Sequence, residues 1–364
     1  MQILFISPLP PPIHGQSLAG KMALEGLSMK NKLVVIDSAF DKGFSGNELP
    51  KIYSPKRLWQ IISSLSKEFP RLWFKRYDVV YMSVGITFRG FMRYAPYMLA
   101  AMIKGEKYVL HTHGSTFKEM YDTLSPFEQK IIRFFFSRSS AVIVLGKSLV
   151  SMFEGVIPLD KVRVCENGVD DAVYISGSEK EFKLDNFGKD KVKLLFLSNL
   201  MKAKGILDLM DAFEQLPDNY LLNVAGALEP SEEINSRFTS FQEKFLHRVK
   251  YHGLVRGEKK RSLLCESDIF ILPSKNEGQP LSILEAYHCA CAVVTDSEIG
   301  GISDIFDDKI NGVSAKNDNP RDIVNGILEC TEKFSVFSEN NFKKSKYYTT
   351  DKFCERLQHI FESI

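Results

Sequence analysis

Asp268-Ile269-Phe270-Ile271-Leu272-Pro273-Ser274-Lys275-Asn276-Glu277-Gly278-Gln279-Pro280-Leu281-Ser282-Ile283-Leu284-Glu285-Ala286-Tyr287 changes its hydrophobic pattern twice within twenty residues. Ile269–Leu272 is a continuous apolar run of the length and composition of a buried strand. Residues 273 to 279 are polar and broken by proline and glycine. From Pro280 the apolar spacing becomes helical, and proline is favoured at the first helical position. A strand that turns directly into a helix is the repeating unit of a doubly wound parallel sheet, which binds ligands outside the carboxyl ends of its strands. The free amides of such a helix start favour an anion. Glu277 falls on the loop and Glu285 about one and a half turns into the helix. Two carboxylates so placed can each grip a different part of one ligand, such as two sets of sugar hydroxyls. The plainer alternative makes Glu277 a helix cap and Glu285 a surface residue.

The same unit recurs in both directions along the chain. Apolar β-rich runs at Gln2–Ile6, Lys32–Asp37, Asp78–Ser83, Tyr108–His111, Ala141–Leu145 and Val162–Cys165 alternate with amphipathic stretches. Asn167-Gly168 and the polar run from Ser176 to Lys191 interrupt the alternation. A second series follows at Lys193–Leu197, Leu221–Ala225, Val249–His252, Ile269–Leu272, Ala292–Thr295 and Gly312–Ser314, with helical stretches such as Ile206–Gln215 and Leu281–Tyr287 between them. At 364 residues the chain also exceeds what one hydrophobic core usually organises. The expected fold is α/β: two Rossmann-like, doubly wound domains facing across a cleft. The first spans 1–170, a linker 171–191, the second domain 192–349, and a terminal helix, 350–364, packs on a domain surface.

Composition narrows the class. Hydrophobic residues make up 44% and charged residues 25%, which excludes a disordered, collagenous or coiled-coil chain. The six cysteines (Cys165, Cys265, Cys289, Cys291, Cys330, Cys354) include no C-x-x-C pair, pointing to a reducing compartment. No leader-like segment and no apolar run long enough to span a bilayer is read, so a cytoplasmic location is expected. The net charge of +2 hides an asymmetry. Residues 1–170 hold 22 Lys+Arg against 14 Asp+Glu, and the remainder 25 against 31. Basic residues interleave with aromatics at Lys56-Arg57-Leu58-Trp59, Arg71-Leu72-Trp73-Phe74-Lys75-Arg76 and Arg89-Gly90-Phe91-Met92-Arg93-Tyr94. Such a face suits an anionic membrane surface or a polyanionic substrate. A solvated surface with core-facing aromatics is the simpler alternative.

Glu277 to Glu285 reproduces, without a gap, the form E-G-x-P-L-x-x-x-E. In this the chain resembles the retaining, nucleotide-sugar-dependent glycosyltransferases of the GT-B fold, family 4 type, whose hallmark is E-x7-E. The resemblance implies that Glu277 contacts the donor sugar near the reacting centre and Glu285 the ribose. It also implies that the backbone from Gly278 through Gln279 and Pro280 to Leu281 helps hold sugar and phosphate. Leu197 to Gly205 is similar to the loop carrying a basic pair for the donor diphosphate. Lys204 matches its lysine, Asn199 stands where many members have an arginine, and Lys202 is a further lysine in reach. Pro8 to Ser17 resembles the glycine-containing loop after the first strand, with Gly15 preceded by His14 where members usually have two glycines. His113, in His111-Thr112-His113-Gly114-Ser115, matches a histidine near sugar and acceptor. A structural histidine bonded to backbone is its alternative. Asn167 to Asp170 is similar to the family's hinge segment, Gly300-Gly301 to a loop shaping the donor pocket, and Asp307 to Gly312 to the turn after it.

No aspartate is followed by another two positions later, so there is no D-x-D pair to carry a divalent cation. No metal and no cofactor are expected, with helix amides and Lys204 acting on the diphosphate instead. Zincin, nucleophile-elbow and P-loop motifs are missing too. The resemblance implies a hexosyl-type glycosyltransferase acting with retention. It would move sugar from a nucleotide-diphosphate donor, UDP- ahead of GDP-, to a hydroxyl of a glycan acceptor. The basic first half points to a lipid-linked acceptor, peripheral contact with the inner face of the cell membrane, and a place in surface-polysaccharide or O-chain assembly. Nucleic acid is not an expected partner. The rival readings are a sugar-nucleotide epimerase of the same architecture and a non-catalytic nucleotide-sugar-binding subunit.

Overall fold

A computed structural model describes residues 1–39 and 71–364. They form two compact units: Met1–Asn167 together with Thr350–Ile364, and Gly168–Thr349. The first unit holds β1 (Gln2–Ser7), β2 (Lys32–Asp37), β3 (Val79–Val84), β4 (Lys107–Thr112), β5 (Ala141–Val144) and β6 (Val162–Val164), ordered β2-β1-β3-β4-β5-β6. The second holds β7 (Val192–Leu197), β8 (Tyr220–Ala225), β9 (Val249–Tyr251), β10 (Ile269–Leu272), β11 (Ala292–Thr295) and β12 (Gly312–Ser314), ordered β12-β11-β10-β7-β8-β9. All pairings are parallel. Ile269–Leu272 and Ala292–Thr295 are buried at every residue, as expected for strands covered on both faces.

In each sheet the strand order reverses once. The reversal lies between β1 and β3 in the first unit and between β7 and β10 in the second. At such a point the loops leaving two adjacent strands diverge to opposite faces, opening a crevice at their carboxyl ends. The loops after β7 and β10 carry Lys204 and Glu277, and the loop after β1 carries His14 and leads into Gly15.

Two expected boundaries are corrected. The segment 171–191 is no linker, because Ser176 and Glu179 form a capping box and the helix Gly177–Asn186 follows. Phe187 then stacks on Phe334 with ring centroids 3.9 Å apart, tying the segment into the second unit. The two units divide after Asn167 rather than after 170. The terminal helix Thr350–Ser363 belongs to the first unit, where it buries Phe353, Leu357, Ile360 and Phe361. Its Gln358 Oε1 accepts from Asn31 Nδ2 at 2.7 Å, and Arg356 donates to the Glu166 carbonyl at 2.9 Å.

Candidate active site

Three loops at the carboxyl edge of the second sheet interlock where only glycine fits. Gly205 takes φ +74°, and a Cβ there would fall 2.1 Å from the Pro273 carbonyl oxygen, so the loops after β7 and β10 lie in direct backbone contact. A Cβ on Gly301 would fall 1.6 Å from the Gly278 oxygen, and the Gly301 amide donates to the Glu277 carbonyl at 3.1 Å. The loop after β11 therefore fixes the backbone of Glu277-Gly278. Ser274 Oγ and the Lys275 amide both donate to the Ala203 carbonyl, at 3.2 and 2.9 Å. Asn317 Nδ2 donates to Asp296 at 3.1 Å and to the Ser274 carbonyl at 3.3 Å. Backbone hydrogen bonds and glycine contacts, together with the Ser274 and Asn317 side chains, hold these loops.

That frame presents two ion pairs. Lys204 Nζ lies 2.7 Å from Glu277 Oε1, joining residues 73 apart in sequence. Lys260 Nζ lies 2.5 Å from Glu285 Oε1. Glu285 is only 5% exposed, which rules out the reading of it as a surface residue, and a carboxylate so buried requires a cation. The helix Leu281–His288 has Pro280 at its cap and no side chain closing its amino end, so Glu277 is not its cap. Gln279 is buried in the loop just ahead of it. Leu281 opens the helix, and Gly300-Gly301 open a short 3-10 turn facing Glu277-Gly278. Asn199 shares the loop of Lys204, but its side-chain oxygen accepts from the Ala227 amide at 3.3 Å. It braces the loop after β8. Lys260 was not singled out in the sequence. It lies in Lys259-Lys260-Arg261 on the helix Gly257–Glu266, and only the need of a buried Glu285 for a partner points to it.

In the first unit the helix Gly15–Ser28 starts with a capping box: His14 Nδ1 accepts from the Ser17 amide and Ser17 Oγ from the His14 amide. Gln16 Nε2 donates to Ser83 Oγ at 2.9 Å and to the Ser83 carbonyl at 3.1 Å, pinning this helix to the end of β3. A Cβ on Gly15 would meet nothing within 4 Å, so the fold itself does not demand glycine there. His111 and His113 lie against each other with ring centroids 4.0 Å apart and planes tilted by 31°, and the Tyr81 hydroxyl bonds His111 Nδ1 at 2.7 Å. Burial pushes His111 well below the usual imidazole range, with His113 adding to the effect. Burial first, and the nearby His14 second, bring His113 to about 3. Both rings are therefore neutral at physiological pH, and Nε2 of each is buried without a hydrogen-bond partner. No bond to backbone at Nε2 accounts for His113.

The basic aromatic segments separate into two kinds. Phe91 and Tyr94 are buried, so Arg89–Tyr94 matches the simpler reading. Phe74 is 81% exposed beside Arg71, Lys75 and Arg76. Lys56–Trp59 lies outside the described residues. Among the described residues no helix is long and apolar enough to cross a membrane.

Residues 177–344, inside the second unit, match the family "Glycosyl transferases group 1". An uncharacterized glycosyltransferase of Methanocaldococcus jannaschii is 26% identical over 316 residues, 82% of this chain and 79% of its own length. The N,N'-diacetylbacillosaminyl-diphospho-undecaprenol alpha-1,3-N-acetylgalactosaminyltransferase of Campylobacter jejuni is 27% identical over 196 residues, 53% of this chain and 50% of that one. HepE of Anabaena, solved in complex with UDP and glucose, superposes with a TM-score of 0.76 at 18% identity, covering 100% of both chains. The fold is therefore GT-B, as its two parallel six-stranded sheets indicate. The chain is a glycosyltransferase.

Proposed function

We propose that the chain transfers a hexose-type sugar with retention from a UDP-sugar to a hydroxyl of a lipid-linked glycan, as a step in surface-polysaccharide or O-chain assembly. The observation that carries this reading is the pair of lysine-carboxylate contacts at the reversal point of the second sheet, Lys204–Glu277 and Lys260–Glu285. As the sugar leaves, negative charge grows on the diphosphate, and a group aimed at that charge lowers the barrier only if it binds the transition state better than the ground state. Lys204 is that group. When the diphosphate draws its ammonium, the Glu277 carboxylate is released to accept hydrogen bonds from sugar hydroxyls. Glu285, held by Lys260, accepts from the ribose. The backbone from Gly278 to Leu281, with Gln279, Pro280 and the Gly300-Gly301 loop, lines the sugar and phosphate, and Asn199 keeps the Lys204 loop in place.

The first unit takes the acceptor, with Gly15 beside the ligand and His113 as a neutral imidazole that can accept or donate one hydrogen bond at a hydroxyl. No cation and no cofactor enter this scheme. Relatives support the choice of substrates: HepE was solved with UDP and glucose, and the Campylobacter enzyme is named for a diphospho-undecaprenol acceptor. Exposed Phe74 among basic residues supports peripheral contact with an anionic bilayer, at the cytoplasmic face where nucleotide sugars are available.

The test is a panel of UDP- and GDP-sugars in thermal unfolding, followed by transfer assays with lipid-diphosphate acceptors, with and without chelator. Binding to the native state raises the melting temperature. A UDP-sugar should protect and should be consumed only when acceptor is present, with the α or β configuration kept and chelator without effect. Consumption without acceptor would replace transfer by epimerisation or hydrolysis. Protection without turnover would make the chain a binding subunit.

A further inference from the structure

Lys260 and Glu285 join the helices Gly257–Glu266 and Leu281–His288, and a second contact joins the same two segments at their carboxyl ends. Cys265 Sγ lies 3.9 Å from Cys289 Sγ. Cys265 shares its helix with Lys260, and Cys289 caps the helix of Glu285, four residues beyond it and so on the same face. The two thiols differ in exposure. Cys289 is buried, whereas Cys265 is partly exposed and lines a surface pocket of about 460 Å³ with Glu179, Phe182, Lys183 and Lys193.

The surroundings carry both signs: Lys183, Lys191 and Lys193 line the pocket together with Glu179, Asp190, Glu266 and Asp268. Lys183 Nζ donates to the Cys289 carbonyl at 2.7 Å and lies 3.3 Å from Cys291 Sγ. Arg261, one turn before Cys265, pairs with Glu179 at 2.6 Å. The contact with the Cys289 thiol, which also donates to the Val173 carbonyl at 3.3 Å, holds the Cys265 thiol below its ordinary acidity range, with burial opposing and Arg261 and Lys183 assisting. The same contact, together with burial, pushes Cys289 up. One thiol is thus poised to ionise at a solvent-accessible wall, with a protonated partner within reach behind it, which is the arrangement of an attacking and a resolving cysteine.

We propose that Cys265 and Cys289 are a peroxide-oxidisable dithiol whose disulfide is transmitted to Glu285 through the helix they share. The Cys265 thiolate attacks one oxygen of hydrogen peroxide: an S–O bond forms, the O–O bond breaks, and hydroxide leaves to take up the proton the thiol gave. The Cys289 sulfur then attacks the sulfenic sulfur: the S–S bond forms, the S–O bond breaks, and the thiol proton departs with the hydroxyl as water. Two thiols and one peroxide give one disulfide and two waters. A disulfide needs sulfurs about 2.05 Å apart. Closing the 3.9 Å gap therefore shifts Cys289 or Cys265, and with them the ends of the helices that hold the Glu285–Lys260 contact. The thiol chemistry is independent of the function proposed above, while its effect on donor binding rests on that reading of Glu285.

The full chain, reduced and then treated with hydrogen peroxide, is alkylated, peptide-mapped and assayed for donor KM with UDP-sugar. The expected result is a Cys265–Cys289 disulfide, reversed by dithiothreitol, with donor KM raised about tenfold while oxidised. Cys265→Ser should keep basal activity and the wild-type melting temperature and lose the peroxide effect. In Cys289→Ser, Cys265 should stop as a sulfenic acid that a cyclic dione traps. Cys265 remaining a free thiol, or pairing with a different cysteine, would overturn the proposal. So would a Cys265–Cys289 disulfide with unchanged KM in a protein where Glu285→Gln does raise KM. If Glu285→Gln leaves KM unchanged, the assignment of Glu285 to the donor fails on its own.

Discussion

At the carboxyl edge of the second sheet four charged side chains meet as two close pairs, Lys204–Glu277 and Lys260–Glu285. At the same edge of the first sheet two neutral imidazoles lie against each other, His111 buried and His113 partly exposed with ring centroids 4.0 Å apart, and His14 serves as a helix cap. Both sheets are parallel, six-stranded and reverse their strand order once, so topology supplies the crevice in each. The side chains decide what each crevice receives. Preformed charge pairs suit a ligand that brings its own charge and can exchange partners with them, because a buried ion costs little to rebind when the site is already polar. Neutral imidazoles suit a hydroxyl, since a hydrogen bond is gained there without desolvating an ion.

The difference is broken most severely by removing the charges of the second sheet. Lys204→Ala and Glu277→Ala should each lower kcat by about 10²–10³-fold, as the loss of one transition-state contact usually does. Because the two side chains are paired, the double variant should cost much less than the product of the singles, read from steady-state kinetics. Next comes the frame: Gly301→Ala forces a methyl against the Gly278 oxygen and should weaken donor binding by about 10²-fold, measured by calorimetry, with the charges all still present. The second pair acts on binding rather than on chemistry. Lys260→Met should raise donor KM by about tenfold and leave kcat within about threefold. Similar kcat losses at Lys204 and Lys260 would erase the distinction between the two pairs.

The smallest effect is a stability effect and concerns one imidazole in each unit. His113, at about 3, and His288, at about 4 through burial, have folded pKa values below that of a free imidazole. Between the folded and unfolded values the unfolded chain binds protons that the native state refuses, so stability falls as pH drops below about 6.5. The melting temperature should decline from pH 7 to pH 5, and His113→Gln should flatten part of that slope. An unchanged slope would show that His113 is protonated in the native state, against the neutral site described.

The sheets were legible in the sequence because their strands are buried on both faces and so read as unbroken apolar runs, Ile269–Leu272 and Ala292–Thr295 being the clearest. The helix Gly177–Asn186 was not legible, since it buries no residue fully and looks like a polar linker. Periodicity identified the helix Thr350–Ser363 but could not name the unit that receives it, because that contact spans most of the chain. Within the site, Glu277 and Glu285 were marked by their spacing and by resemblance. Lys260 carries no local signal, and its role appears only when the helix Gly257–Glu266 is laid against Glu285.

A crystal of the chain soaked with UDP-sugar tests the central claim most directly. The account predicts the diphosphate within hydrogen-bond distance of Lys204 Nζ and of the amides that open the helix Leu281–His288, with Glu277 turned to the sugar and Glu285 on the ribose. A nucleotide bound elsewhere, for example in the pocket walled by Cys265 and Lys183, with Lys204 still paired to Glu277, would contradict it.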